Sequence, residues 1–131
     1  MLARLALAAI ALLALVFLSI GLRNVVLTDR AQRLAALPDP SAAQVDEAAR
    51  LYERARLLDP DTRPLLLEGA LLAGAGRRDE GAALVELAVR REPDNVLAWG
   101  VLAEITRQSN PARSRAAEAR RLELSPPVSP E

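Results

Sequence analysis

The side chains that could do acid–base chemistry in this 131-residue chain are carboxylates and arginines, because the sequence has no histidine and no cysteine. It therefore lacks the commonest general base near neutral pH, a thiol nucleophile and the usual zinc ligands. The closest carboxylate pairs are Asp59 with Asp61 and Asp79 with Glu80. Each pair lies where a helix is expected to end or begin, so we interpret them as residues that complement helix dipoles. We expect a protein that is not an enzyme and binds no cofactor or metal.

Two other patterns are typical of ligand sites but have a simpler interpretation here. Three glycines between residues 69 and 76 fit neither a phosphate loop nor a dinucleotide fingerprint, and no strand precedes them. Arg113 and Arg120 alternate with Glu118 and Glu123, which is the pattern of a solvated helix face. The 17 basic and 17 acidic residues cancel. Because a neutral chain has no general attraction for polyanions, we expect no nucleic-acid partner.

Helices are the elements that must position these side chains. Alanine and leucine dominate the apolar residues, and both favour helices, so the sequence predicts an all-α fold. Proline and glycine divide the chain after Pro38 into about five helices, over residues 41–58, 63–75, 79–91, 95–108 and 111–124. The expected caps are Ser41 (in a capping box with Gln44), Asp79, Asp94 or Asn95, and Asn110 before Pro111.

The N-terminal segment has the composition of a membrane anchor. From Leu5 to Leu22 there are 18 residues without a charge. A helix of that length spans about 27 Å, close to the thickness of the bilayer's hydrocarbon. We predict a transmembrane anchor over residues 1–23, with residues 2–22 in contact with the lipid bilayer. A signal peptide cleaved near Ser19-Ile20-Gly21 is the alternative, although its apolar region is usually shorter.

The flanking charges leave the orientation of the anchor open. Arg23, Arg30 and Arg33 follow the apolar run, which by the positive-inside rule favours a cytoplasmic domain. A short basic head before a long apolar run is instead typical of signal anchors that export the domain C-terminal to them. We favour a single-pass protein of the cell membrane with an extracytoplasmic domain.

The rest of the chain divides at its prolines. Residues 24–40 form a helical extension, with Leu27, Ala31 and Leu34 along one stripe, and a proline-rich boundary. Residues 41–125 form the soluble domain. The tail over residues 126–131 is too rich in proline to fold, and we expect it to be disordered.

Pro60, Pro93 and Pro126 are spaced 33 residues apart, and each follows a predicted helix. A period of this length is typical of stacked helical hairpins, in which each unit needs neighbours to bury its apolar face. The chain resembles the tetratricopeptide repeat (TPR) family, whose period is about 34 residues. The residues that match the family's packing positions are Ala48, Tyr52, Ala55, Pro60, Leu65, Gly69, Leu72, Gly76, Gly81, Val85, Ala88, Pro93, Trp99, Leu102 and Ala103.

The resemblance has departures. The first unit lacks its first helix, and Glu68 stands where the family prefers leucine. The last helix has only a thin apolar stripe, as expected of a terminal cap. A five-helix bundle of another ancestry, with the same helices, is the alternative fold.

The resemblance implies a concave groove lined by the first helices of the repeats. The groove positions would be Arg63, Leu66, Ala70, Ala73, Leu97, Gly100, Glu104 and Arg107. The lysine, asparagine and arginine set of the family's carboxylate clamp is missing, so we expect an apolar helical or extended segment of a protein partner. The implied function is a membrane-anchored scaffold or adaptor in an envelope assembly. The alternatives are an accessory subunit of a membrane enzyme complex, in polysaccharide or cytochrome assembly, and a secreted binder.

Overall fold

The structure is a computed structural model that describes residues 2–57 and 61–125. These residues contain six α-helices joined by turns. They are α1 (Leu2–Ala35), α2 (Ala42–Arg56), α3 (Arg63–Gly74), α4 (Arg78–Arg91), α5 (Val96–Thr106) and α6 (Pro111–Leu124). The two described ranges contain no strand, so the all-α prediction is confirmed. The predicted helix end at Asp59 and Pro60, and the predicted disordered tail, lie outside the described residues.

The caps of α2, α5 and α6 are those that the sequence predicts. The backbone N–H of Gln44 donates to Ser41 Oγ at 3.3 Å, and the N–H of Ser41 donates to Gln44 Oε1 at 2.8 Å. Asn95 accepts from the N–H of Ala98 at 3.1 Å, which selects it over Asp94 as the cap of α5. Asn110 caps α6 in the same way.

The predicted cap of α4, Asp79, is wrong. Gly76 adopts a φ of 86° and closes α3 through two bonds, from Gly76 N–H to the Ala73 carbonyl (3.1 Å) and from Arg77 N–H to the Leu72 carbonyl (2.8 Å). This left-handed closure needs glycine and turns the chain straight into α4. Arg77 therefore takes the N-cap position without a side-chain capping bond.

The N-terminal helix is long and apolar enough to cross a membrane. The candidate span is Ala9–Ala35, whose most apolar window has a mean hydropathy of 2.3 and is only 6% buried. Large apolar side chains between Leu7 and Val26 are exposed, with Phe17 at 76%. A helix of a soluble protein usually buries such a face, whereas this helix has the length and composition needed to cross a membrane.

The C-terminal third of α1 packs on α2, which the sequence alone did not predict. Ala31 is fully buried, and Leu27 and Leu34 lie with it against a cluster that includes Leu51 and Tyr52 of α2. The helix continues past Arg23 because no proline interrupts it before Pro38. The first hairpin therefore consists of α2 and the C-terminal part of the apolar helix α1.

The remaining helices build a second cluster. Leu65, Val85, Ala88, Ala98 and Ala117 are its most buried members, drawn from α3, α4, α5 and α6. Short turns make consecutive helices antiparallel neighbours, and α3 also contacts α5 directly.

The structure buries most of the residues that the sequence analysis assigns to packing positions, but not the exposed turn residue Gly76. Those that are buried are Ala48, Tyr52, Ala55, Leu65, Gly69, Leu72, Gly81, Val85, Ala88, Leu102 and Ala103. Trp99 is only partly buried and donates its Nε1–H to the Pro93 carbonyl at 2.8 Å. Pro93 is exposed, and Pro60 is outside the described residues.

Candidate partner-binding surface

A hydrogen-bonded triad joins the starts of α3 and α5. Thr62 Oγ1 donates to Glu92 Oε2 at 2.9 Å, and Asn95 Nδ2 donates to the same oxygen at 2.7 Å. The amide of Asn95 also donates to Thr62 Oγ1 at 3.3 Å. Thr62 and Asn95 are the residues before α3 and α5, and they lie 33 positions apart, which is the sequence period. The triad therefore holds the N-terminal ends of α3 and α5 next to each other.

A contact between glycines sets the distance between α3 and α4. A Cβ built on Gly69 would meet Val85 Cγ2 at 2.6 Å and the Gly81 carbonyl oxygen at 2.8 Å. A Cβ built on Gly81 would meet the Gly69 carbonyl oxygen and, at 3.1 Å, the backbone nitrogen of Ala73. Only glycine allows this approach, so the α3–α4 hairpin is a closely packed base for any surface that α3 presents.

The α3–α5 cleft is the open surface between those two helices. It has a volume of about 390 Å³. The residues that line it are Ala70, Ala73, Gly74, Arg78, Val101, Glu104, Ile105, Arg107 and Gln108. Its α3 side is small and apolar, and its α5 side carries an exposed ion pair between Glu104 and Arg107. A small-residue wall and a charged rim match an amphipathic segment that lays its apolar face into a groove.

Four of the eight predicted groove residues meet in this cleft, namely Ala70, Ala73, Glu104 and Arg107. Arg63 lies beside α1 instead, in the cleft between α1 and the start of α3. Leu97 is 65% exposed but lies at the first turn of α5, outside the cleft. Neither position belongs to the α3–α5 cleft.

Leu66 and Gly100 do not face the groove as predicted. Leu66 is 5% exposed and belongs to the core cluster shared by α3, α4 and α5. A Cβ built on Gly100 would meet Arg121 Cδ at 3.2 Å, so this position faces α6. The prediction missed five residues that line the cleft, namely Gly74, Arg78, Val101, Ile105 and Gln108. Val101 and Gln108 lie one turn either side of Glu104, and following that spacing from Leu97 would have found them.

Glu68 is a buried carboxylate in a second cleft, which lies between α2, α3 and α4. It is 6% exposed, its Oε2 has no hydrogen-bond donor within the described ranges, and Arg56 Nε lies 3.6 Å from that atom. Burial raises the pKa of Glu68, and the charge of Glu53 raises it further, while Arg56 lowers it. Because Glu68 occupies an apolar position of the hairpin, we interpret it as a local cost to stability.

The described residues hold no group of three or more carboxylates close enough to bind a metal ion. A scan against protein-family models found no match for the chain, and a search of curated proteins found no relative that matches it.

Proposed function

We propose that this protein is a membrane-anchored interaction module of the TPR type, a scaffold or adaptor that holds a protein partner beside the bilayer and catalyses no reaction. The observation that carries the proposal is the open α3–α5 cleft on a closely packed hairpin, in the same chain as an exposed apolar helix. The 33-residue spacing of Thr62 and Asn95 supports the repeat relationship of α3 and α5.

The cleft favours an apolar segment with a charged flank as its ligand. Ala70, Ala73 and Gly74 leave room for a partner's side chains, and Val101 and Ile105 add apolar contact. The Glu104–Arg107 pair offers both charges at the rim, where it contributes more to orientation than to affinity. Tethering to the membrane raises the local concentration, so a weak groove suffices.

The proposed membrane anchor is tested by carbonate extraction of membranes and by mass spectrometry of the mature chain. Membranes washed with alkaline carbonate are expected to retain the protein, and its mature chain is expected to keep residues 2–22. Release into the supernatant, or a chain that begins near Leu22, would show a peripheral or secreted protein instead.

The binding half is tested by site-specific photocrosslinking in intact cells. A photoreactive residue at Ala70, in the cleft, is expected to give a discrete adduct. Ala119, an exposed alanine of α6, is the matched control and is expected to give none. Equal yields at both positions would remove the cleft as the binding surface. An adduct with a subunit of a membrane enzyme would specify an accessory subunit rather than a general scaffold.

A further inference from the structure

One end of the helical domain lies level with the end of the apolar run of α1. Gly21 and Val25 of α1 line a common cleft with Arg63 and Pro64 at the start of α3. The uncharged run of α1 ends at Leu22. A helix that crosses the bilayer along this run therefore brings the start of α3 to the bilayer surface.

Hydrogen bonds and an ion pair place further helix ends at the same level. Asn95, the cap of α5, bonds to Thr62 beside the start of α3. Asp94 pairs with Arg120 near the end of α6, at 3.5 Å. The end of α2 joins them, because α2 runs back along α1 to the turn before α3. We name these segments, which are Arg54–Leu57, 61–64, 91–97 and 120–125, the proximal end.

The proximal end carries most of the exposed leucines of the domain. Outside α1, the described residues have four exposed large apolar side chains, which are Leu37, Leu57, Leu97 and Leu122. Leu57 is 69% exposed, Leu97 is 65% exposed and Leu122 is 42% exposed, and all three lie at the proximal end. Single exposed leucines are common in soluble proteins, whereas a set gathered at one end indicates a contact surface.

Exposed arginines lie at the proximal end and on α1 beside it. Arg23, Arg54, Arg63 and Arg91 are exposed, and none of them forms an ion pair with a carboxylate in residues 2–57 and 61–125. Apolar side chains flanked by arginine match the boundary between acyl chains and phosphate headgroups.

We propose that the proximal end docks on the bilayer surface, with Leu57, Leu97 and Leu122 inserted below the headgroups and the arginines paired with lipid phosphates. The proposal depends on the anchor half of the proposed function. The occupant is lipid because α1 carries this end to the bilayer and because its side chains suit that boundary. The docked domain is held at a fixed distance from the bilayer, because α1 runs from the membrane into the domain as one continuous helix.

Leu37 is the matched control for this surface. It is the same residue type and is exposed, but it follows the other end of the packed part of α1. From Val25 to Ala35 the helix rises about 15 Å, so Leu37 stands clear of the headgroups.

The test is fluorescence quenching by lipid in the full chain, which contains no cysteine that would compete for a label. Single variants Leu57→Cys, Leu97→Cys, Leu122→Cys, Leu37→Cys and Leu13→Cys are labelled and reconstituted into vesicles of phosphatidylcholine and phosphatidylglycerol. Lipids with a nitroxide near the headgroup are expected to quench the three proximal labels several-fold more than the Leu37 label. Quenching of the proximal labels at the level of Leu37 would overturn the docking.

The Leu13 label separates failure of the docking from failure of the anchor. Lipids with a deep nitroxide are expected to quench it, and its protection would overturn both proposals. A labelled Leu57→Cys chain that also carries Leu97→Ser and Leu122→Ser tests the leucines themselves. It is expected to lose much of its quenching, and unchanged quenching would show that nearness to α1, and not insertion, explains the signal.

Discussion

Gly69 of α3 and Gly81 of α4 bring two helix backbones into direct contact, with the carbonyl of each glycine in the space that a Cβ on the other would need. No other glycine in the described ranges has backbone atoms of a second helix this close. The contact holds together the hairpin that carries one wall of the α3–α5 cleft.

Gly81→Ala is expected to destabilise the protein by about 1–3 kcal/mol, because the atoms that the new Cβ meets are backbone and cannot rotate away. Gly74→Ala is the control, since a Cβ there meets nothing within 4 Å. It is expected to be neutral or to stabilise by about 0.4–1 kcal/mol through the unfolded chain. Urea unfolding of the full chain in detergent, followed by circular dichroism, measures both. Equal stabilities for the two variants would contradict this packing.

Tyr52 joins the apolar helix α1 to the rest of the domain, since it is 1% exposed and packs in the cluster around Ala31. Tyr52→Ala is expected to cost about 3–5 kcal/mol, from lost burial and a residual cavity. Trp99→Ala is expected to cost less than its size implies, because half-burial leaves a smaller cavity. Thermal unfolding of the two variants compares them. A Tyr52→Ala protein with wild-type stability would show that α1 does not pack on α2.

The triad at the starts of α3 and α5 makes stability depend on pH. Hydrogen bonds from Asn95 and Thr62 lower the pKa of Glu92 below its usual range. The contribution of Glu92 to stability is therefore complete above the unfolded pKa of about 4.3 and is lost as the pH falls through the lower folded value. We expect Glu92→Gln to lower the melting temperature at pH 7, and the difference from the wild type to shrink as the pH falls below about 4. A constant difference between the two proteins across this range would exclude the linkage.

Glu68 is expected to give the opposite dependence of folding stability on pH. Burial raises its folded pKa, so the charged form costs stability that grows as the pH rises from the unfolded value through the folded one. Glu68→Leu removes a buried charge whose Oε2 has no donor within the described residues, and we expect it to be more stable than the wild type at pH 7. The advantage should shrink below pH 4, where the carboxyl is neutral in both states. A variant that is less stable at pH 7 would mean that the pair with Arg56 outweighs the burial.

Local signals in the sequence were enough for the helices and most of their caps. Ser41 with Gln44, and Asn110 before Pro111, act within a few residues, and the structure confirms both. The prediction of Asp79 as the cap of α4 was wrong, because the left-handed turn at Gly76 starts the helix earlier and places Arg77 at the N-cap. That choice depends on backbone geometry that residue type alone does not decide.

The groove was harder to predict, because α3 and α5 are apolar around most of their circumference. With no polar stripe to mark the wet face, Leu66 and Gly100 were assigned to it, whereas Leu66 is in the core and Gly100 faces α6. The packing of α1 on α2 was missed for a related reason. The stripe of Leu27, Ala31 and Leu34 was visible, but its partner lies beyond the proline boundary.

Whether the α3–α5 cleft holds a partner beside the membrane is measured by the yield of the Ala70 photocrosslink in carbonate-washed membranes. An arginine at Ala73 would fill the cleft, whereas an arginine at the exposed Ala119 would not reach it. We expect a discrete adduct that Ala73→Arg abolishes and Ala119→Arg leaves intact, with all three proteins retained in the membrane. An adduct that survives Ala73→Arg, or protein that leaves with the wash, would contradict this expectation.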